Sequence, residues 1–314
     1  MNHSRHRVAG SVVAVLCGTL IALQTRINGE LGHRLGDGYL AALISFAGGL
    51  VVISLVVLTG RAHRDGVRTV VAAVRQGHQP WWVLGGGICG AALVLAQGIT
   101  VATLGAALFT VAVVAGQTGS GLVVDRAGLG PASAMRLTVP RVLGAALTAV
   151  AVVVAVSDRL AAGSLSWLLV LPLVAGLGLS FQSAVNGRVR VLGTVSVAAF
   201  GNFVVGTATL AVAFVVHGLV TGWPTRFPSE PWLYLGGLIG LLYISVNAAL
   251  VRYTGVLLLS LAAIAGQLAG ALVLDTVFPV EGSGPSVVTV VGVALTLLAV
   301  SLTLVRPRRG VVVS

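Results

Sequence analysis

The sequence predicts an all-α integral membrane protein: ten transmembrane helices built as two inverted five-helix repeats. Three observations predict it. Hydrophobic residues make up 57% of the 314 residues and charged residues only 9%, with a mean hydropathy of +1.03, so the chain has too few polar side chains to cover itself in water. The chain repeats itself. Gly18, Gln24, Asn28 and Gly29, in GTLIALQTRING, return 158 residues later as Gly176, Gln182, Asn186 and Gly187, in GLGLSFQSAVNG. Third, the basic residues are unevenly spread over the connections between apolar runs, as a membrane orientation requires.

The duplication runs the length of each half. Ala41, Ala42, Phe46 and Gly49 correspond to Ala198, Ala199, Phe203 and Gly206, Gly116, Gln117 and Asp125 correspond to Gly266, Gln267 and Asp275, and the GAALT at Gly144 matches the GVALT at Gly292. The units are residues 1–158 and 159–314, forming one membrane domain. Internal duplication in an apolar chain marks a carrier whose site lies between the halves.

The first span, near 8–28, follows a basic MNHSRHR and so looks like a signal peptide. Its apolar run continues for about twenty residues without a small-residue cleavage site, and its counterpart lies inside the chain, so it is a span. The next four are expected near 38–59, 81–101, 104–124 and 141–157. Their counterparts lie near 165–186, 195–217, 231–251, 256–275 and 286–305, all about the length that crosses a hydrocarbon core. Spans three and four meet in a tight turn at Thr103–Gly105. Residues 61–80 suit a short surface helix, and 125–140 and 218–230 are the other long connections. Gly29 and Gly187, directly after the asparagines, are expected to end or loosen their helices. Gly86 and Gly90 recur as Gly236 and Gly240, and Gly266 precedes Gly270, spacings that let helix backbones approach closely.

A net charge of +11 raises the question of nucleic acid. With the N-terminus cytoplasmic, fifteen of the 19 arginines fall on that side, and only Arg26, Arg34, Arg159 and Arg226 lie on or near the other. This is the positive-inside pattern, so no nucleic-acid partner is expected, anionic lipid is, and both termini are placed in the cytoplasm.

Chemistry has to come from polar groups within the spans, because an unpaired amide in hydrocarbon costs several kcal/mol, roughly, and so faces the interior. Gln24 and Asn28 share one helix face, as do Gln182 and Asn186. Gln97 in span three corresponds to Asn247 in span eight, and Gln117 in span four to Gln267 in span nine. These eight amides are the candidate substrate-binding residues, with Arg26, which has no counterpart in the second half, as a ninth. For any one amide, helix-to-helix glue is the competing role. Arg26 either binds an anionic group or snorkels to the outer interface. Asp125, Asp275 and Tyr243 are candidates for gating or ion coupling, although a carboxylate at a helix end also suits an ion pair with an arginine such as Arg126. Spans five and ten carry essentially no amides, which places them outside the cavity and makes them plausible faces of a homodimer.

Ten spans in two inverted repeats resemble the drug/metabolite transporter superfamily. The segments QTRINGELG and QSAVNGRVR, followed by AALISFAGG and AAFGNFVVG, are similar to its YdcZ-like branch of bacterial inner-membrane proteins. The resemblance implies a cavity formed by spans one, three, four, six, eight and nine, and movement of a small metabolite or drug-like solute by alternating access. A lipid flippase or channel, or a scaffold without transport, are the alternatives. No enzyme is expected: the chain has no H-E-x-x-H and no Walker loop, and His3, His6, His33, His63, His78 and His217 lie in tails, loops or span ends, so neither a metal nor a cofactor is implied. Cys17 and Cys89 are not at corresponding positions and read as packing residues.

Overall fold

The computed structural model describes residues 2–130, 138–158, 167–254, 256–279 and 284–303, with side chains described outside 2–11, 247–261 and 303. The described residues form helices and no strand: α1 (Asn2–Leu35), α2 (Gly38–Thr59), α3 (Arg61–Arg75), α4 (Gly86–Leu104), α5 (Ala106–Arg126), α6 (Val139–Ala155), α7 (Val170–Leu192), α8 (Val195–Thr221), α9 (Gly236–Thr254), α10 (Val256–Val277) and α11 (Val287–Thr303). Among the described residues, six helical segments are long and apolar enough to cross a membrane: Val12–Leu35, Gly38–Thr59, Trp81–Leu104, Ala106–Arg126, Trp167–Leu192 and Val195–Thr221. Four shorter apolar ones are Val139–Ala155, Pro231–Val246, Ala262–Val277 and Val287–Leu302.

Local chemistry sets the boundaries. Asp37 caps α2, its carboxylate accepting from the backbone N–H groups of Tyr39 at 2.8 Å and Leu40 at 3.0 Å. Thr194 caps α8 at the corresponding place, accepting from the Val197 N–H. The tight turn between α4 and α5 is a single residue, Gly105 at φ +80°, a conformation that costs a residue with a Cβ. Helix α3 is the expected surface helix. It buries Gly66, Val70 and Ala73 and leaves its arginines in solvent or at half exposure.

Two expectations at the Gln-x3-Asn-Gly motif are corrected. Helix α1 continues past residue 28 to Leu35, and α7 continues through Gly187 to Leu192, so these glycines end neither helix. At Gly29 the reason is close packing: a Cβ would stand 2.5 Å from Cβ of Val101 on α4. Both motifs are therefore mid-helix, and their amides project sideways into the bundle.

Helix pairing follows the sequence repeat. Helix α1 packs along α10, and α7, its counterpart, packs along α5. In the first pair a Cβ on Gly18 would meet the Ala263 carbonyl oxygen at 2.0 Å and one on Gly266 the Val15 oxygen at 1.9 Å. In the second, Gly176 meets the Val113 oxygen at 2.2 Å and Gly116 the Leu173 oxygen at 2.2 Å. Each pair thus crosses glycine on backbone at equivalent residues. Helices α2 and α8 run antiparallel to each other, with Phe46 over Gly206 and Phe203 over Gly49. Those two rings meet at 5.2 Å between centroids. Helices α6 and α11 pair as well, Gly292 lying against Ala151 and Ala155.

Candidate functional site

The two Gln-x3-Asn faces and the two Gly-x3-Gly faces find each other, each across the halves. Gln24 and Asn28 of α1 lie on Gly240 and Gly236 of α9: a Cβ there would come 2.7 Å from Gln24 Nε2 and 2.0 Å from Asn28 Oδ1. Gln182 and Asn186 of α7 lie in the same way on Gly90 and Gly86 of α4, at 2.8 Å and 3.2 Å. Sequence spacing supplies both halves of the fit, since i,i+4 residues share one helix face. The neighbouring glycines, Gly87 and Gly237, bring α4 onto α8 and α9 onto α2, a Cβ there falling 2.4 Å from the Asn202 oxygen and 1.8 Å from the Ser45 oxygen.

The first motif is the more buried. Gln24, Thr25, Asn28 and Gln97 are all buried. Asn28 Nδ2 donates to Gln97 Oε1 at 2.7 Å, and Gln97 Nε2 donates to Thr25 Oγ1 at 3.1 Å. Asn28 Oδ1 and the buried Ser45 hydroxyl lack a hydrogen-bond partner among the described residues. At the second motif Asn202 of α8 donates to Asn186 Oδ1 at 3.0 Å, and both residues are half-buried. Asn247, the counterpart of Gln97, has its side chain outside the described residues.

Gln117 is separate from this network. It lines a cavity of about 320 Å³ between α5, α6, α7, α10 and α11. Ser180 donates to its backbone carbonyl at 2.7 Å. The cavity includes Asp125, which forms the ion pair expected with an arginine, its partner being Arg141 and not the example Arg126. Arg141 on α6 and Val300 on α11 help line it, so spans five and ten do not stand wholly outside. Gln267, on the corresponding face of α10, is half-buried, and its backbone nitrogen would lie 2.7 Å from a Cβ on Gly18. Where the Gln117 cavity has Thr118, Gly121 and Ser180, the equivalent positions hold Leu268, Ala271 and Ala22, all buried in the apolar core.

Arg26 points away from the amides. Its guanidinium donates to the Phe278 carbonyl at 2.9 Å and stands 3.9 Å from Asp275. Asp275 in turn accepts from the backbone N–H groups of Ala106 at 2.9 Å and Ala107 at 2.7 Å. One carboxylate thus caps α5 and ties α10 and α1 to it. Tyr243 on α9 is half-buried. Among the described residues no group of three or more His, Cys, Asp or Glu side chains could hold a metal.

Asn202, Ser45, Thr25 and Ser180 complete this site and were not among the sequence candidates. The signal for two of them was present, because Ser45 and Asn202 are both polar at one repeat position in otherwise apolar helices.

The chain matches the family model described as "Putative inner membrane exporter, YdcZ" over residues 9–154 and 167–302, one segment in each half. It is also similar to a solved crystal structure at 19% identity with a TM-score of 0.51, over 95% of this chain and 96% of that one, a likeness of fold alone. No curated protein matches it.

Proposed function

This chain belongs to the YdcZ family of inner-membrane exporters, and from that premise we propose that it is a secondary-type transporter whose substrate path is lined by the interhelical amides. The observation that carries the reading is the reciprocal seating of Gln24 and Asn28 on Gly240 and Gly236, and of Gln182 and Asn186 on Gly90 and Gly86. Each half supplies polar groups and receives those of the other, so a relative movement of the halves must remake both contacts. Buried polar atoms at Asn28 and Ser45 that have no partner among the described residues support a path over glue, because glue would leave no group unsatisfied.

The ten-span inverted arrangement belongs to the proposal. It is supported by the antiparallel run of α2 and α8, which hold equivalent sequence, and by the match of α1 on α10 with α7 on α5. The arginine pattern puts both termini in the cytoplasm. Asp275 with Arg26 then closes the outer end of the bundle, and Asp125 with Arg141 lies at the inner end. The exposed apolar ridge of α6 and α11, with Val139, Leu143, Val153, Val287 and Leu298, is the face proposed for a homodimer.

The test is a metabolite comparison of cells lacking and overproducing the protein, followed by flux of the responding compound in proteoliposomes. Asn28→Leu and Gln117→Leu are expected to reduce that flux at least tenfold while the protein still inserts. Flux unchanged in both variants contradicts the path.

A further inference from the structure

The two halves also differ at a further cavity. It holds about 190 Å³ and runs between α3, residues 83 and 84 just ahead of α4, the end of α7 and the start of α8, and its lining is apolar apart from Asn186 and Asn202. At the equivalent place in the first half Leu31, Leu40 and Leu233 are buried together, with Ile44 packed against them. Aligning the repeats shows why: Val189 stands where Leu31 does, Val197 where Leu40 does, Val83 where Leu233 does, and Gly201 where Ile44 does. Every one of the four exchanges removes carbon from the cavity side. At Gly201 a Cβ would meet nothing within 4 Å, so the space an isoleucine fills in one copy is empty in the other.

We propose that this cavity is a binding site for a solute with a compact apolar group, a ring or a short branched chain, bearing one hydrogen-bonding group. A pocket of this size can hold a small ring, as an engineered apolar cavity of about 150 Å³ takes benzene. The apolar wall selects the body of the ligand. The polar pair selects its head: Asn202 donates to Asn186, which leaves the Asn186 Nδ2 donor and the Asn202 Oδ1 acceptor without another partner among the described residues. A donor and an acceptor on neighbouring residues match a hydroxyl or an amide, which can both accept and donate. Helix α3 covers the cavity with Val67, Val70 and Val71, so ligand access involves this surface helix.

The proposal deepens the carrier reading, on which its place in a transport cycle rests, while binding itself is measurable without flux. The probe is 4-fluorobenzyl alcohol, followed by fluorine NMR on the full chain in nanodiscs of phosphatidylethanolamine and phosphatidylglycerol, with 4-fluorotoluene as the partner lacking the hydroxyl. The alcohol is expected to bind, the toluene at least fivefold more weakly. Gly201→Ile, which restores the first half's residue and replaces a helical glycine by a better helix former, is expected to weaken alcohol binding at least tenfold with an unchanged or raised unfolding temperature. Asn202→Ser, again the first half's residue, should bring the two probes to within twofold of each other. Absence of alcohol binding to the unaltered protein, or equal binding by Gly201→Ile, overturns the site. Either result beside a flux that Gln117→Leu still reduces at least tenfold would remove this site and leave the carrier intact.

Discussion

Asn28 and Asn186 occupy one position in two copies of a sequence, yet their partners differ. Asn28 gives its amide hydrogens to Gln97, while Asn186 receives those of Asn202. A buried amide stripped of its partner costs roughly 1–3 kcal/mol, so these side chains report sensitively on their glycine seats. Gly236→Ala would put a Cβ 2.0 Å from Asn28 Oδ1, and Asn28 would have to leave Gln97. The expected loss is about 1–3 kcal/mol of unfolding free energy, read by denaturant titration in detergent. Gly119→Ala is the control. Nothing lies within 4 Å of its Cβ, and exchanging a helical glycine for alanine should be neutral or stabilising by up to about 1 kcal/mol. Equal destabilisation by the two would show that the loss does not come from the amide seat.

At the scale of the element, glycine positions decide which helices touch. The crossings of α1 on α10 and α7 on α5 place Gly18, Gly266, Gly176 and Gly116 on carbonyl oxygens closer than any Cβ permits. Gly18→Val and Gly176→Val are therefore both expected to abolish folded protein, measured as monodisperse protein after extraction, whereas Gly48→Val, with open space at its Cβ, should not. Asp275 acts on a different element from its own, capping α5 at Ala106 and Ala107. A lost N-cap costs about 1 kcal/mol, and Asp275→Asn, which keeps one acceptor oxygen, should lose less than Asp275→Ala in thermal unfolding. The reverse order would show that the cap is not what Asp275 supplies.

Much of the element scale was legible in the chain. The ten apolar runs each overlap a described helix, the short helix expected within 61–80 occupies Arg61–Arg75, and the tight turn expected at Thr103–Gly105 falls on Gly105. The amides were legible because hydrocarbon penalises them. What they would meet was not, since a Gly-x3-Gly spacing announces a close approach without naming the partner. Gly29 misled because the rule that glycine stops a helix assumes a left-handed residue after the last turn, and here Val101 instead packs against the flat face of a continuing helix. The pairing of Asp125 with Arg141 over Arg126 depends on where α6 returns, which no local pattern holds. Likewise the second cavity comes from valine and glycine standing for leucine and isoleucine, a difference in size that a hydrophobic pattern treats as none.

For the whole molecule, the proposed arrangement has equivalent halves entering the membrane from opposite sides and meeting at amides seated on the partner half's glycines. Residues 78 and 229 test the opposition directly, for His78 and Ser229 are exposed and lie in the corresponding connections, ahead of α4 and α9. With Cys17 and Cys89 replaced by alanine, single variants His78→Cys and Ser229→Cys are treated in spheroplasts with a membrane-impermeant maleimide. The account predicts that Ser229→Cys is labelled from outside and His78→Cys only after the membrane is opened. Labelling of both from the same side would contradict it.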